Sequence, residues 1–147
     1  MLIVNDLHEA INRASINRSK LVIFSGSGIH GFGDLEVVNL NKALSGLLIS
    51  TSRKERARSV PQMVEKLIAK TGKSEAIIQG IEILFDRTLS IDPIRLLENC
   101  ARNKTLLVCW PGNKTDSALS YAEPSHPEYR AYKYSDLTDV IFLEGDA

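Results

Sequence analysis

Apolar residues gather in short runs along this chain, and the runs alternate with stretches at helical spacing. Residues 21–24, 36–40, 76–85, 105–110 and 140–143 read as strands. The run 21–24 has no polar alternation, as expected of a strand covered on both faces. Between the runs, Leu7, Ala10, Ile11 and Ala14 recur at i, i+3, i+4 and i+7, predicting an amphipathic helix over 2–18. Ala43, Leu44, Leu47 and Leu48 predict a short helix over 41–49. Pro61 marks the first turn of a helix reaching about residue 71, with Met63, Val64, Leu67 and Ile68 as its stripe and Gly72 as its stop. Asp92-Pro93 supplies an N-cap and a first helical residue for a helix to about residue 102, burying Ile94, Leu97 and Cys100. Strands alternating with helices predict an α/β fold in three layers, a mostly parallel sheet with helices on both faces.

The length, 147 residues, suits one domain over the whole chain. Eighteen basic residues balance eighteen acidic ones, so no global field steers the protein toward nucleic acid or an anionic membrane. Cys100 and Cys109 have no zinc-like spacing and read as free buried thiols of a reducing compartment. The first residues, MLIVNDLHEAINRA, lack the basic and apolar regions of a signal peptide, and no run approaches a membrane span. A cytoplasmic location with no membrane partner is the expectation.

The first strand runs into a glycine cluster, Gly26, Gly28, Gly31 and Gly33. An apolar strand followed by a glycine-rich turn is how nucleotide-binding α/β folds begin. Gly26 and Gly31 match the spacing of the phosphate-binding frame G-x-x-x-x-G-K-[ST], but Phe32 and Gly33 stand where Lys and Ser/Thr belong. A phosphate cradle built of Gly26, Ser27, Gly28, Gly31, Phe32 and Gly33 would therefore rest on backbone N–H groups alone; the other reading is a turn between strands. Only eleven residues, 25–35, precede the next strand. A parallel crossover normally needs a dozen or more, so either the connection is a bare loop or the second strand pairs unusually.

Chemistry has four further candidates. P-loop ATPases place a magnesium-organising Asp at the end of a buried strand and often a Glu that polarises water. Here Gln79 occupies the first position, and Glu82 is the catalytic candidate or else an edge-of-sheet residue paired with a basic neighbour, with Asp86 beyond the apolar run. Arg102, before the fourth strand, is placed as an arginine that stabilises transferring phosphoryl charge in a neighbouring subunit, or as a cation on a helix C-terminus. Arg53, Lys54, Arg56 and Arg58 form a basic run for a phosphate backbone such as DNA, or a solvated face. Tyr121, Tyr129, Tyr132 and Tyr134, with His126 and Arg130, read as a docking surface or as packing over the sheet's end. No metal ligand set is read.

Three segments, NLNKALSGLL, IEILFDRTLSIDPIRLLENCARNKTLLVCWPG and YAEPSHPEYRAY, in that order and spacing, resemble BrxF, the small P-loop proteins of type III BREX phage-defence systems. The likeness spans roughly 20–143. It implies a P-loop NTPase-like fold, ATP with magnesium as cofactors, and a complex that methylates host DNA and blocks phage replication. The implied partners are a large ATPase, a methyltransferase and an alkaline-phosphatase-like protein. Gly31-Phe32-Gly33 and Gln79 depart from that pattern at the nucleotide site. The expectation is a component acting mainly through protein contacts with weak or no ATP hydrolysis. The alternatives are an active ATPase completed by homo-oligomerisation and a DNA-contacting adaptor.

Overall fold

The apolar runs form a sheet whose strands all point the same way. The computed structural model describes residues 1–25, 33 and 35–144. The elements are β1 (Leu2–Val4), α1 (Leu7–Ser15), β2 (Leu21–Ser25), β3 (Glu36–Asn39), α2 (Leu40–Leu48), α3 (Arg53–Ala69), β4 (Glu75–Gln79), α4 (Pro93–Cys100), β5 (Thr105–Trp110), β6 (Asn113–Lys114), β7 (Ala118–Tyr121), β8 (Arg130–Lys133) and β9 (Ile141–Leu143). Six strands stand in the order β1-β9-β2-β5-β4-β3, each neighbour parallel. Strands β6, β7 and β8 make a separate antiparallel sheet.

Alternation along the parallel strands divides the core in two. Leu21, Ile23, Ile78, Leu106 and Val108 face the helices α2, α3 and α4, meeting Leu44, Val64 and Leu97. Val22, Phe24, Ile77, Leu107 and Ile141 face the other way and meet Ala10 and Ala14 of α1. The result is the expected three layers, α/β, with every strand of the main sheet parallel.

Local chemistry sets the helix starts. Asp6, Asn39 and Asp92 each accept a backbone N–H three residues on, from Glu9, Lys42 and Arg95. The Asp92-Pro93 start is as expected. Four other boundaries differ. Residues 2–4 are the edge strand β1, paired with β9, and the helix occupies only Leu7–Ser15. Leu47, expected inward, is exposed, and Leu40, Leu44 and Leu48 carry the buried stripe of α2. Pro61 lies inside α3, which begins eight residues earlier through the basic run. Its missing N–H removes one bond, to the Ala57 carbonyl, and the stripe Val60, Val64 and Ile68 holds the helix to the sheet. The apolar run 76–85 is strand only to Gln79. Gly80 turns it with a left-handed φ of 65°, and Ile81–Phe85 form a 3₁₀ turn.

The segment after β5 folds back as the second sheet. Trp110 Nε1 donates to the Ser120 carbonyl at 3.0 Å. Gly112 allows that approach: a Cβ there would overlap the Ser120 oxygen and lie 2.9 Å from Tyr121 Cα. Tyr121 stacks on Phe85 with ring centroids 4.0 Å apart. Tyr132 donates its hydroxyl to Asp92 Oδ1 at 2.7 Å, and Tyr134 donates to the Thr115 carbonyl. Three of the four tyrosines thus pack on the sheet's end, and Tyr129 remains exposed.

This packing makes two substitutions informative about stability. Gly112→Ala forces the second sheet off Trp110 and costs about 2 kcal/mol or more, read as a lowered denaturation midpoint. Glu98 on α4 has its carboxyl pushed up by burial, against the pull of Arg95 and with Asp139 and Asp92 adding to the rise. A raised folded-state value means a contribution present at low pH and lost as pH rises through it. Glu98→Gln therefore raises the midpoint at neutral pH, and the gain closes below about pH 4.

Candidate functional site

The chain path defines a crevice at the carboxyl end of the sheet. From β2 the chain moves past β5 and β4 to the far edge strand β3. From β5 it moves the other way, past β2, to β9. Adjacent strands β2 and β5 therefore send the chain to opposite sides, and such a switch point is where open α/β sheets bind ligands. Ser25 and Trp110 face one another there in register, directly after Phe24 and Cys109. The glycine cluster begins at the next residue, Gly26.

Beside this crevice, the end of β4 is clamped to the start of α2. Asn41 N donates to the Gly80 carbonyl at 2.8 Å, and Asn41 Oδ1 accepts the Ile83 N–H at 2.9 Å. Asn39 Oδ1 lies where a Cβ on Gly80 would stand. Sequence reasoning did not single out Asn39 and Asn41. Their signal was the N-L-N run where a strand passes into a helix. Glu82 lies between the two clamped residues; it is half-buried and has no hydrogen bond or ion pair among the described residues. Its carboxylate reaches the crevice electrostatically. Burial first and then Glu82 raise the Cys109 thiol, and burial, Glu128 and Glu82 raise the Tyr121 phenol. Cys100, away from the crevice, is pushed up to about 12 by burial and Glu65, so it stays a neutral thiol.

The other candidate residues lie elsewhere. Gly26, Ser27, Gly28, Gly31 and Phe32 lie outside the described residues. Gly33 is exposed with a left-handed φ of 68°. Arg102 follows α4 and precedes β5, so it stands at the amino end of the sheet. The six residues of β5, about 20 Å, separate it from the crevice within one chain. Arg102 and Glu82 are not brought together. Arg102 donates to Asn99 at 3.5 Å, and its carbonyl accepts Lys20 Nζ at 2.8 Å. The basic run forms the first turns of α3, where Arg56 closes the end of α2 by donating to the Thr51 and Leu48 carbonyls at 3.1 and 3.0 Å. Arg53, Lys54 and Arg58 remain exposed.

β4 ends in the neutral Gln79, at the position where the phosphate-loop expectation asks for a magnesium-organising acid. Among the described residues no group of three or more His, Cys, Asp or Glu is arranged to hold a metal ion, and no helix is long and apolar enough to cross a membrane.

A larger groove, about 590 Å³, lies next to the crevice between Phe85–Ile91 and Pro124–Arg130. Its walls are pinned turns. Asp86 accepts from the Thr88 N–H and hydroxyl, and His126 Nδ1 accepts from the Glu128 N–H. At its base Arg130 meets Asp92 at 3.5 Å and the Ile91 carbonyl at 3.3 Å.

Comparison of the chain with protein-family models, with curated proteins and with solved structures finds no match.

Proposed function

We propose that this protein is a non-hydrolysing, P-loop-like subunit of a defence complex of the BREX kind, working through contacts with other proteins. The supporting observation is the arrangement at the carboxyl end of the sheet. A glycine cluster follows the inner strand β2 at the switch point, as a phosphate loop does in a P-loop fold. The side chains that would do phosphoryl-transfer chemistry are replaced there, by Phe32 and by Gln79.

What supports protein contact is the convergence of the BrxF-like segments. NLNKALSGLL supplies α2 and the clamp on Gly80. IEILFD supplies the 3₁₀ turn with Phe85, and DPIRLLENC supplies α4 with Asp92. YAEPSHPEYRAY supplies Tyr121, Arg130 and Tyr132, which pack on Phe85 and Asp92. Two of these stretches, 85–91 and 124–130, far apart in sequence, line the groove of about 590 Å³. The three BREX proteins named by the resemblance are the proposed partners.

Titration with ATP, with and without magnesium, should give no magnesium-dependent heat and no phosphate release, and Glu82→Gln should change neither. Micromolar magnesium-dependent binding, with turnover abolished by Glu82→Gln, would overturn the proposal. Co-purification with the three BREX proteins should survive Glu82→Gln and be lost on Tyr129→Ala combined with Arg87→Ala.

A further inference from the structure

Strand β8 is the outer strand of the small sheet, paired on one side only. Its register with β7 sets which backbone groups are unused. Tyr134 N donates to the Ser117 carbonyl, and Thr115 N donates to the Ala118 carbonyl. In an antiparallel ladder such bonds alternate. Tyr132 and Arg130 therefore bond inward to Leu119 and Tyr121, and Ala131 and Lys133 turn their N–H and C=O outward. Beside that edge a groove of about 260 Å³ runs between β8 and α4. Ile94 and Leu137 give it apolar footing, and Glu98 and Asp136 give it carboxylates. The wall is fixed by the Tyr132–Asp92 bond and the Arg130–Asp92 pair.

The geometry points to this groove as a β-augmentation site for an extended segment of a partner protein that carries lysine or arginine. An added strand would take its main-chain bonds from Ala131 and Lys133 and lay alternate side chains over α4. The charge of the occupant is set by the groove. Arg130 is matched to Asp92, whereas Glu98 is half-buried with Asp92 and Asp139 acting against its ionisation and Arg95 acting for it. A cation brought beside Glu98 and Asp136 adds to the pull of Arg95, which lines the same groove. This inference goes beyond the defence assignment and does not depend on it.

The probe is a short, end-capped peptide of alternating lysine and valine, with a glutamate-valine peptide as control. Amide hydrogen exchange of the full chain should slow at Ala131 and Lys133 when the lysine peptide is added. The glutamate peptide should have no effect. Glu98→Gln with Asp136→Asn should weaken binding about tenfold while keeping the unliganded exchange pattern. Three outcomes would overturn the inference: no added protection, equal binding of both peptides, or protection already present through dimerisation without peptide. Ala131→Pro removes one outward N–H and should abolish binding. If that variant does not fold, the exchange measurement on the unaltered chain decides alone.

Discussion

A sheet of six parallel strands has to return the chain from the carboxyl end to the amino end each time, and each return covers a face. Right-handed crossing leaves little choice about which face. α2 and α3 between β3 and β4, and α4 between β4 and β5, lie on one side. The step from β1 to β2 runs through α1 on the other. With those sides fixed, β2 and β5 must hand the chain in opposite directions, and the crevice at their carboxyl ends is a consequence of topology. The placement of Ser25 and Trp110, where β2 and β5 end, therefore depends on the strand order and on no ligand.

Asp92 has the corresponding role for the second sheet. One carboxylate caps α4 through the Arg95 N–H at 3.3 Å, accepts the Tyr132 hydroxyl at 2.7 Å and pairs with Arg130 at 3.5 Å. Helix and small sheet are thus tied through a single residue. Burial, and then the bond to Asp92, push the Tyr132 phenol far above its ordinary range, so the bond is kept across the physiological range of pH. Trp110 adds an edge contact to Tyr132 with centroids 6.2 Å apart, and Phe85 another to Trp110 at 5.7 Å. Aromatic pairs of this kind add about 0.5–1.5 kcal/mol beyond area burial. They explain why a polar, tyrosine-rich stretch is an ordered sheet.

What the sequence made legible was local. The Asp92-Pro93 start, the apolar strands β2 and β5 and the division into layers all arise from neighbouring residues. What it concealed was set by distant partners. β1 is three residues long, with Leu2 and Ile3 both exposed, and only pairing with β9 at the other end of the chain makes it a strand. The run 76–85 is apolar in strand and 3₁₀ turn alike, so periodicity could not locate the break; Gly80 and the Asn41 clamp do. The basic run is helical because Val60, Val64 and Ile68 anchor the later turns of α3 to the sheet and Arg56 is bound to the end of α2. That bonding also removes one of the four cations from any anion-binding face. At the site, Glu82 was legible as an acid past a buried strand, and Asn39 and Asn41 were not, because their partner Gly80 lies about forty residues on.

The same separation means that the side chains at the crevice can vary without loss of the fold. Gln79 and Glu82 are only half-buried, and neither belongs to the two clusters that hold the layers together. The end of β4 is held by Asn41, whose N–H donates to the Gly80 carbonyl and whose Oδ1 accepts the Ile83 N–H, bonds that need no ligand. Substitution at the crevice therefore has little to disturb. The surfaces around Asp92 are different in kind, since Tyr132 and Arg130 serve packing and exposure at once. Changing those surfaces would detach the small sheet. The face around Asp92 is thereby the part of the surface that the architecture protects most firmly.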